Sequence, residues 1–216
     1  LNLQGFGEPL MHPDFTAMAR YAKEKTGCEL IVYTNGMLLS ERTSRELVEL
    51  AFDSLRLSID TADPASFRRM RKGARLDVVS DNLAALKRIR DESHGSLPAI
   101  TVRATVSTDT LDELSSLVDY AADHGAADLR LSAYIPFDDS AEAKRLSLTT
   151  VSSDDVTTHI DQARRQARHR GLPLRIDRGL TRLLKGASPT PAPNQPLYCW
   201  WLWQGAYVDA TGSWYP

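Results

Sequence analysis

The sequence predicts an α/β protein whose parallel strands alternate with helices, either closed as a barrel or spread as an open sheet. Three observations predict it. Short apolar runs rich in β-branched residues, such as Ile31-Val32-Tyr33 and Ile100-Thr101-Val102, recur between longer segments with apolar residues at helical spacing. That alternation is of the parallel type, with right-handed crossovers. Polar residues stand at the carboxyl ends of successive strands, where sheets and barrels of this kind gather their ligands.

The elements follow in order. Leu1 to Gln4 reads as a short strand that runs into Gly5-Phe6-Gly7-Glu8-Pro9, a glycine-broken turn carrying one carboxylate. Pro9 stops the strand and, lacking an N–H, leaves the preceding carbonyls free for outside partners. Taken alone, the stretch is as well explained by a strand-to-helix loop with a solvated glutamate. His12-Pro13-Asp14 predicts a helix start, and the helix runs to about Lys25 and ends at Gly27. Glu29 to Tyr33 is the second strand, ending in Thr34-Asn35-Gly36, and Cys28 just before it reads as structural. Ser40 caps a helix with Leu47, Leu50 and Ala51 at helical spacing. Ser54 to Asp60 is the third strand, with Ser58 and Asp60 on one face because side chains alternate.

Asp63-Pro64 opens a short helix holding Arg68, Arg69 and Arg71, and a longer one follows over Val78 to Arg90. Ile100 to Val106 is the fourth strand, followed by a helix from Thr110-Leu111 closed by Gly125. Asp128 to Tyr134 is the fifth. Residues 136–150 read as a loop on the active side. Ser152 or Ser153 caps a helix through His169 whose outer arginines are solvated, and Leu172 to Ile176 is the sixth strand. Residues 1–178 thus form the α/β body. Residues 179–196, with four prolines between Pro189 and Pro196, read as a linker. At 197–216 the aromatic run Tyr198 to Trp203 and the Asp209-Ala210-Thr211-Gly212 turn suggest the first hairpin of another module.

Composition narrows the classes. With 216 residues, 42% hydrophobic and 25% charged, the chain suits one sizeable core. A net charge of −2 gives no basic field for nucleic acid or an anionic membrane. No apolar run reaches the roughly 20 residues of a membrane span. Two cysteines, Cys28 and Cys199, make no disulfide framework, and a cytoplasmic location is expected. The sequence opens within a strand without a methionine, so a segment of a longer polypeptide is also expected.

The strand-end residues Glu8, Thr34, Asn35, Ser58 and Asp60, with Arg103 inside its strand, share one mouth if the sheet curves into a barrel. Such a set suits a small zwitterion. Carbonyls and Glu8 accept from an ammonium, while Ser58 and an arginine donate to a carboxylate.

The ordered set GFGEPL-MHPDF, YTNG-MLL, LRLSID with MRKGA after it, and VRATVS resembles the barrel of radical S-adenosylmethionine (radical SAM) enzymes over roughly residues 1–178. The resemblance implies a partial (β/α) barrel lacking its first strand. It also implies that Phe6, Gly7, Glu8 and Pro9 bind the amino group of the cofactor, with phenylalanine in place of the family's first glycine. Ser58 and Asp60 match the family's Ser-x-Asp strand end, and Arg71 matches its carboxylate-clamping arginine, Arg68 or Arg69 being the choices in another helix register. Thr34 and Asn35 are expected to line the pocket. Arg103 is either a further cofactor contact or half of a barrel-wall salt bridge. Cys199 followed by Gly212 resembles the opening of the SPASM auxiliary iron–sulfur module, which implies Cys199 as a cluster ligand.

The implied activity is reductive cleavage of S-adenosylmethionine (SAM) at a [4Fe–4S] cluster, giving a 5′-deoxyadenosyl radical that abstracts hydrogen from a substrate. The implied partners are a peptide or protein substrate, as in maturases, and a reductant such as flavodoxin or ferredoxin. The family's Cys-x3-Cys-x2-Cys is missing from the sequence, so this segment is expected to be inactive by itself, with cluster ligands lying outside it. A degenerate, non-catalytic barrel that binds a nucleoside-like ligand or a partner is the alternative.

Overall fold

The strands line up in the order of the chain. In the computed structural model, which describes residues 1–4, 7–189 and the backbone of 207–208 and 214–215, six parallel strands form one sheet in the order β1-β2-β3-β4-β5-β6. They are β1 (Asn2–Leu3), β2 (Ile31–Thr34), β3 (Ser54–Ser58), β4 (Ala99–Val106), β5 (Asp128–Ala133) and β6 (Leu174–Ile176). Because the order never reverses, right-handed crossovers place every connecting helix on the same side of the sheet. The other side is left free of helices, as in a barrel wall. This decides between the two architectures in favour of a partial barrel.

The helices between strands are α1 (Phe15–Thr26), α2 (Glu41–Glu49), α3 (Pro64–Met70), α4 (Leu76–Glu92), α5 (Leu114–Asp123), α6 (Ala141–Leu146), α7 (Ser153–Arg170) and α8 (Arg178–Leu183). The core lies between them and the sheet. From β2, β3, β4 and β5 come Val32, Leu55, Leu57, Val102, Ala104, Leu129 and Leu131. From α4 come Leu76, Val79, Leu83 and Leu86, spaced three and four apart so that one stripe is covered. Each fully buried valine or leucine among them contributes about 1.5–3 kcal/mol.

Helix ends follow their caps. Asp63, Ser152 and Asp177 each accept a backbone N–H of the first turn of α3, α7 and α8. Gly27 and Gly171 close α1 and α7 in the left-handed conformation.

The observed elements depart from the sequence-based reading by more than a few residues of boundary, or in kind, chiefly at three places. The first helix begins at Phe15 and not at His12, because Glu8 caps a short 3₁₀ turn over Pro9–Met11 that delays it. The 136–150 segment contains α6 and a 3₁₀ turn, Leu148–Thr150, each started by a serine cap. Residues 179–183, read as linker, belong to α8, which Asp177 caps and which buries Leu180 and Leu183 in the core. Near the end of the chain, Tyr207–Val208 (β7) and Trp214–Tyr215 (β8) pair antiparallel, as the hairpin reading expects.

Candidate functional site

Parallel pairing puts partner residues on the same face, so the register maps the helix-free wall. One row crosses it as Tyr33, Arg56, Thr101 and Asp128. The next row, nearer the carboxyl ends, is Ser58, Arg103, Arg130 and Arg175. Beyond it lies the mouth, where Asp60 meets Thr105.

At the mouth two carboxylates are spent on positioning. Glu8 accepts from the backbone N–H of Asn35 at 2.8 Å and from that of Leu10 at 3.3 Å. It thereby pins the turn after β1 to the end of β2, and its neighbour Gly7 adopts φ 120°, a conformation open essentially to glycine alone. The Gly7 carbonyl accepts no hydrogen bond among the described residues. Asp60, 8% exposed, accepts from the Thr105 N–H at 2.8 Å through one oxygen. Through the other it accepts from Arg71 Nη2 at 2.6 Å and Nε at 3.1 Å. Arg71 sits at the C-cap of α3, which is anchored by buried Phe67 and by Ser66, whose hydroxyl donates to Glu113 at 2.8 Å. The Arg71 Nη1 group and the half-buried Ser58 hydroxyl have no partner among the described residues.

Asn35 is spanned by its own turn, its Oδ1 accepting from Met37 N at 2.8 Å. Thr34 corrects the expectation that it lines the pocket. It is 3% exposed, pairs in register with the core residue Leu57, and its Oγ1 accepts from the Gly36 N–H, so it faces the helices. Arg103 makes no barrel-wall salt bridge among the described residues; its Nη1 donates to the Tyr33 hydroxyl at 3.3 Å, and its guanidinium lies 5.5 Å from the Tyr33 ring centroid. Arg68 and Arg69 do not take the place of Arg71 on Asp60. Phe6 and Cys199 lie outside the described residues, as does any cluster-ligand role for Cys199.

Most wall residues escaped the sequence-based reading, Arg56 and Tyr33 among them. Arg56 donates to the Tyr33 hydroxyl, and its guanidinium sits 5.0 Å from that ring. The signal was present: Arg56 and Tyr33 each stand two positions before a strand-end residue already chosen, and strand side chains repeat every second residue.

The family model for the Radical SAM superfamily matches residues 3–132. This chain belongs to the radical SAM superfamily. Among curated proteins it is 33% identical over 139 residues to GTP 3′,8-cyclase of Chlorobaculum tepidum, covering 62% of this chain and 38% of that protein. To the tungsten-containing aldehyde ferredoxin oxidoreductase cofactor-modifying protein of Pyrococcus furiosus it is 30% identical over 132 residues, covering 61% and 37%. The chain therefore spans a little over a third of the length of these relatives. Among solved structures, Streptococcus suis SuiB bound to S-adenosylmethionine superposes with TM-score 0.59 at 15% identity, over 79% of this chain and 36% of that one. The anSMEcpe structure with bound AdoMet and a peptide gives TM-score 0.61 at 16% identity, over 88% and 54%. These likenesses establish the partial-barrel fold.

The mouth has the donor set that the methionine end of SAM requires. A Gly7 carbonyl uncommitted among the described residues suits an ammonium, while the Ser58 hydroxyl and Arg71 Nη1 suit a carboxylate. An iron–sulfur cluster is a different matter. Among the described residues no group of three or more His, Cys, Asp or Glu is placed to hold a metal. The described residues do not fit such a cluster. No helix of the described residues is long and apolar enough to cross a membrane.

Proposed function

We propose that this chain is the SAM-binding core of a radical SAM enzyme that abstracts hydrogen from its substrate. The single observation that carries this is the pairing of a carboxylate-fixed Gly7 turn with the Ser58–Asp60–Arg71 group across one strand-end mouth. Gly7 presents its backbone carbonyl to the ammonium, while the Pro9 carbonyl already accepts from the His12 N–H at 3.1 Å and shapes the turn. Asp60 holds Arg71 so that its free Nη1 and the Ser58 hydroxyl meet the carboxylate, with little ordering left to do on binding. SAM held there would supply a 5′-deoxyadenosyl radical, with methionine released, on receiving one electron from the reductant through the cluster. Cluster ligands outside this segment, a reductant such as flavodoxin or ferredoxin, and a cytoplasmic setting complete the reading, and the segment alone is inactive in it. Cys199 as the first ligand of a SPASM-like auxiliary cluster rests on its spacing to Gly212.

A peptide or protein substrate draws support from SuiB bound to precursor peptide SuiA and from the peptide in anSMEcpe. The relatives named GTP 3′,8-cyclase support a nucleotide. The cationic inner wall favours an anionic substrate over a neutral peptide.

The test uses the full-length protein, purified without oxygen, mixed with SAM and dithionite, with 5′-deoxyadenosine quantified by chromatography. Release of 5′-deoxyadenosine, reduced at least tenfold by Ser58→Ala, is expected. A protein loaded with its cluster that releases none would contradict the reading and favour the non-catalytic barrel.

A further inference from the structure

We infer that the inner wall behind the mouth is a subsite for a multiply charged oxyanion group of the substrate, a phosphate ester or pyrophosphate, received by Arg56, Arg103 and Arg130. The inference rests on the proposed function for the identity of the second ligand at this site. Four guanidiniums, those of Arg56, Arg103, Arg130 and Arg175, stand on two adjacent rows of the helix-free wall. One carboxylate, Asp128, faces them; it accepts from Arg130 Nε at 2.9 Å and forms an ion pair with Arg175 Nε at 3.4 Å. At the mouth, Asp60 is taken by Arg71 and Glu8 by backbone N–H groups.

Neighbouring strands lie about 4.8 Å apart, and like charges directly opposite one another are destabilising. Arg103 is opposite Arg130, and Arg130 is opposite Arg175. The fold carries that repulsion with less than half of it offset. Arg56 adds a second cost, because its Nε is buried and has no hydrogen-bond partner among the described residues. Tyr33 holds Arg56 and Arg103 against its ring without neutralising either. A planar, forked donor array of this kind matches phosphate oxygens. A lone carboxylate would balance one of the three excess charges, whereas a pyrophosphate balances most of them. Ser58 stands in the same row as Arg103 and Arg130, so an anion there shares the barrel with a ligand at the mouth.

The test titrates inorganic pyrophosphate into the full-length protein by calorimetry, in parallel with a tri-glutamate peptide and, separately, SAM. Saturable pyrophosphate binding is expected, weakened at least tenfold in Arg56→Gln and in Arg130→Gln. Arg168→Gln, on the exposed face of α7, is expected to bind as the wild type does. Arg130 is 38% exposed and its loss leaves Asp128 paired with Arg175, so this variant tests the wall without unfolding it. Absence of pyrophosphate binding, equal weakening by Arg168→Gln, or tighter binding of the acidic peptide would overturn the inference. SAM binding without pyrophosphate binding sinks the subsite and spares the proposed function; pyrophosphate binding without SAM binding does the reverse.

Discussion

Asp60 does the most at the scale of single residues. One nearly buried carboxylate ties the end of β3 to β4 and aims an arginine at the mouth. Replacing it leaves Arg71 and the Thr105 N–H without an acceptor, so Asp60→Ala is expected to lower stability by about 3 kcal/mol in urea unfolding. A loss below about 1 kcal/mol would make the pair dispensable. Gly36, after β2, makes a steric prediction. Its φ is 80°, and a Cβ there would meet Val79 Cγ1 at 3.0 Å and Leu57 Cδ2 at 3.2 Å. Gly36→Ala is expected to cost more than about 1 kcal/mol, and an unchanged melting temperature would show that the turn relaxes. Glu8, Ser58 and Asp60 were legible in the sequence as polar residues at strand ends, whereas Arg71 was singled out among three nearby arginines by the resemblance alone. What was not legible is that Glu8 spends both oxygens on backbone N–H groups, since that depends on where β2 ends in space.

At the scale of elements, helical spacing foretold α4 and α5, and capping serines foretold α2 and α7. The start of α8 was missed. Its glycine at position 179 and the prolines beyond it read as linker, and the Asp177 cap was overlooked. Asp177→Ala is expected to cost about 1 kcal/mol, measured by thermal unfolding; no change would mean that burial of Leu180 and Leu183 suffices. Thr34 was misplaced for a different reason, the parity of β2, which only the register with Leu57 settles. The junction of α1, β2 and β3 turns on Asp53, which accepts from Lys23 Nζ at 2.8 Å and Leu30 N at 2.7 Å. Burial raises this carboxyl, but Lys23 and the Leu30 N–H outweigh it and hold it below the ordinary 3.8. A carboxyl lowered by folding stabilises the fold above its unfolded value, and that stabilisation disappears as the pH falls through the lowered one. Asp53→Asn is therefore expected to flatten the acid-side loss of stability below about pH 4. An acid limb as steep as the wild type's would remove Asp53 from the account.

For the whole molecule, the unreversed strand order matters most: it gathers the helices on one side and leaves a polar wall on the other. Strand–helix alternation in the sequence announced a parallel sheet, yet left barrel and open sheet undecided, because strand order is a property of tertiary pairing. The charge of the wall was hidden for the same reason. Four arginines scattered over more than a hundred residues become neighbours only through the register. The central claim is that the strand-end mouth binds SAM, and the most direct measurement is calorimetric titration of SAM into the full-length protein and its Ser58→Ala and Arg71→Ala variants. Saturable binding is predicted, weakened by about 1.5–3 kcal/mol in each variant, the scale of a hydrogen bond to a charged group, with both variants still folded. Wild-type affinity in both, or no SAM binding at all, would contradict it.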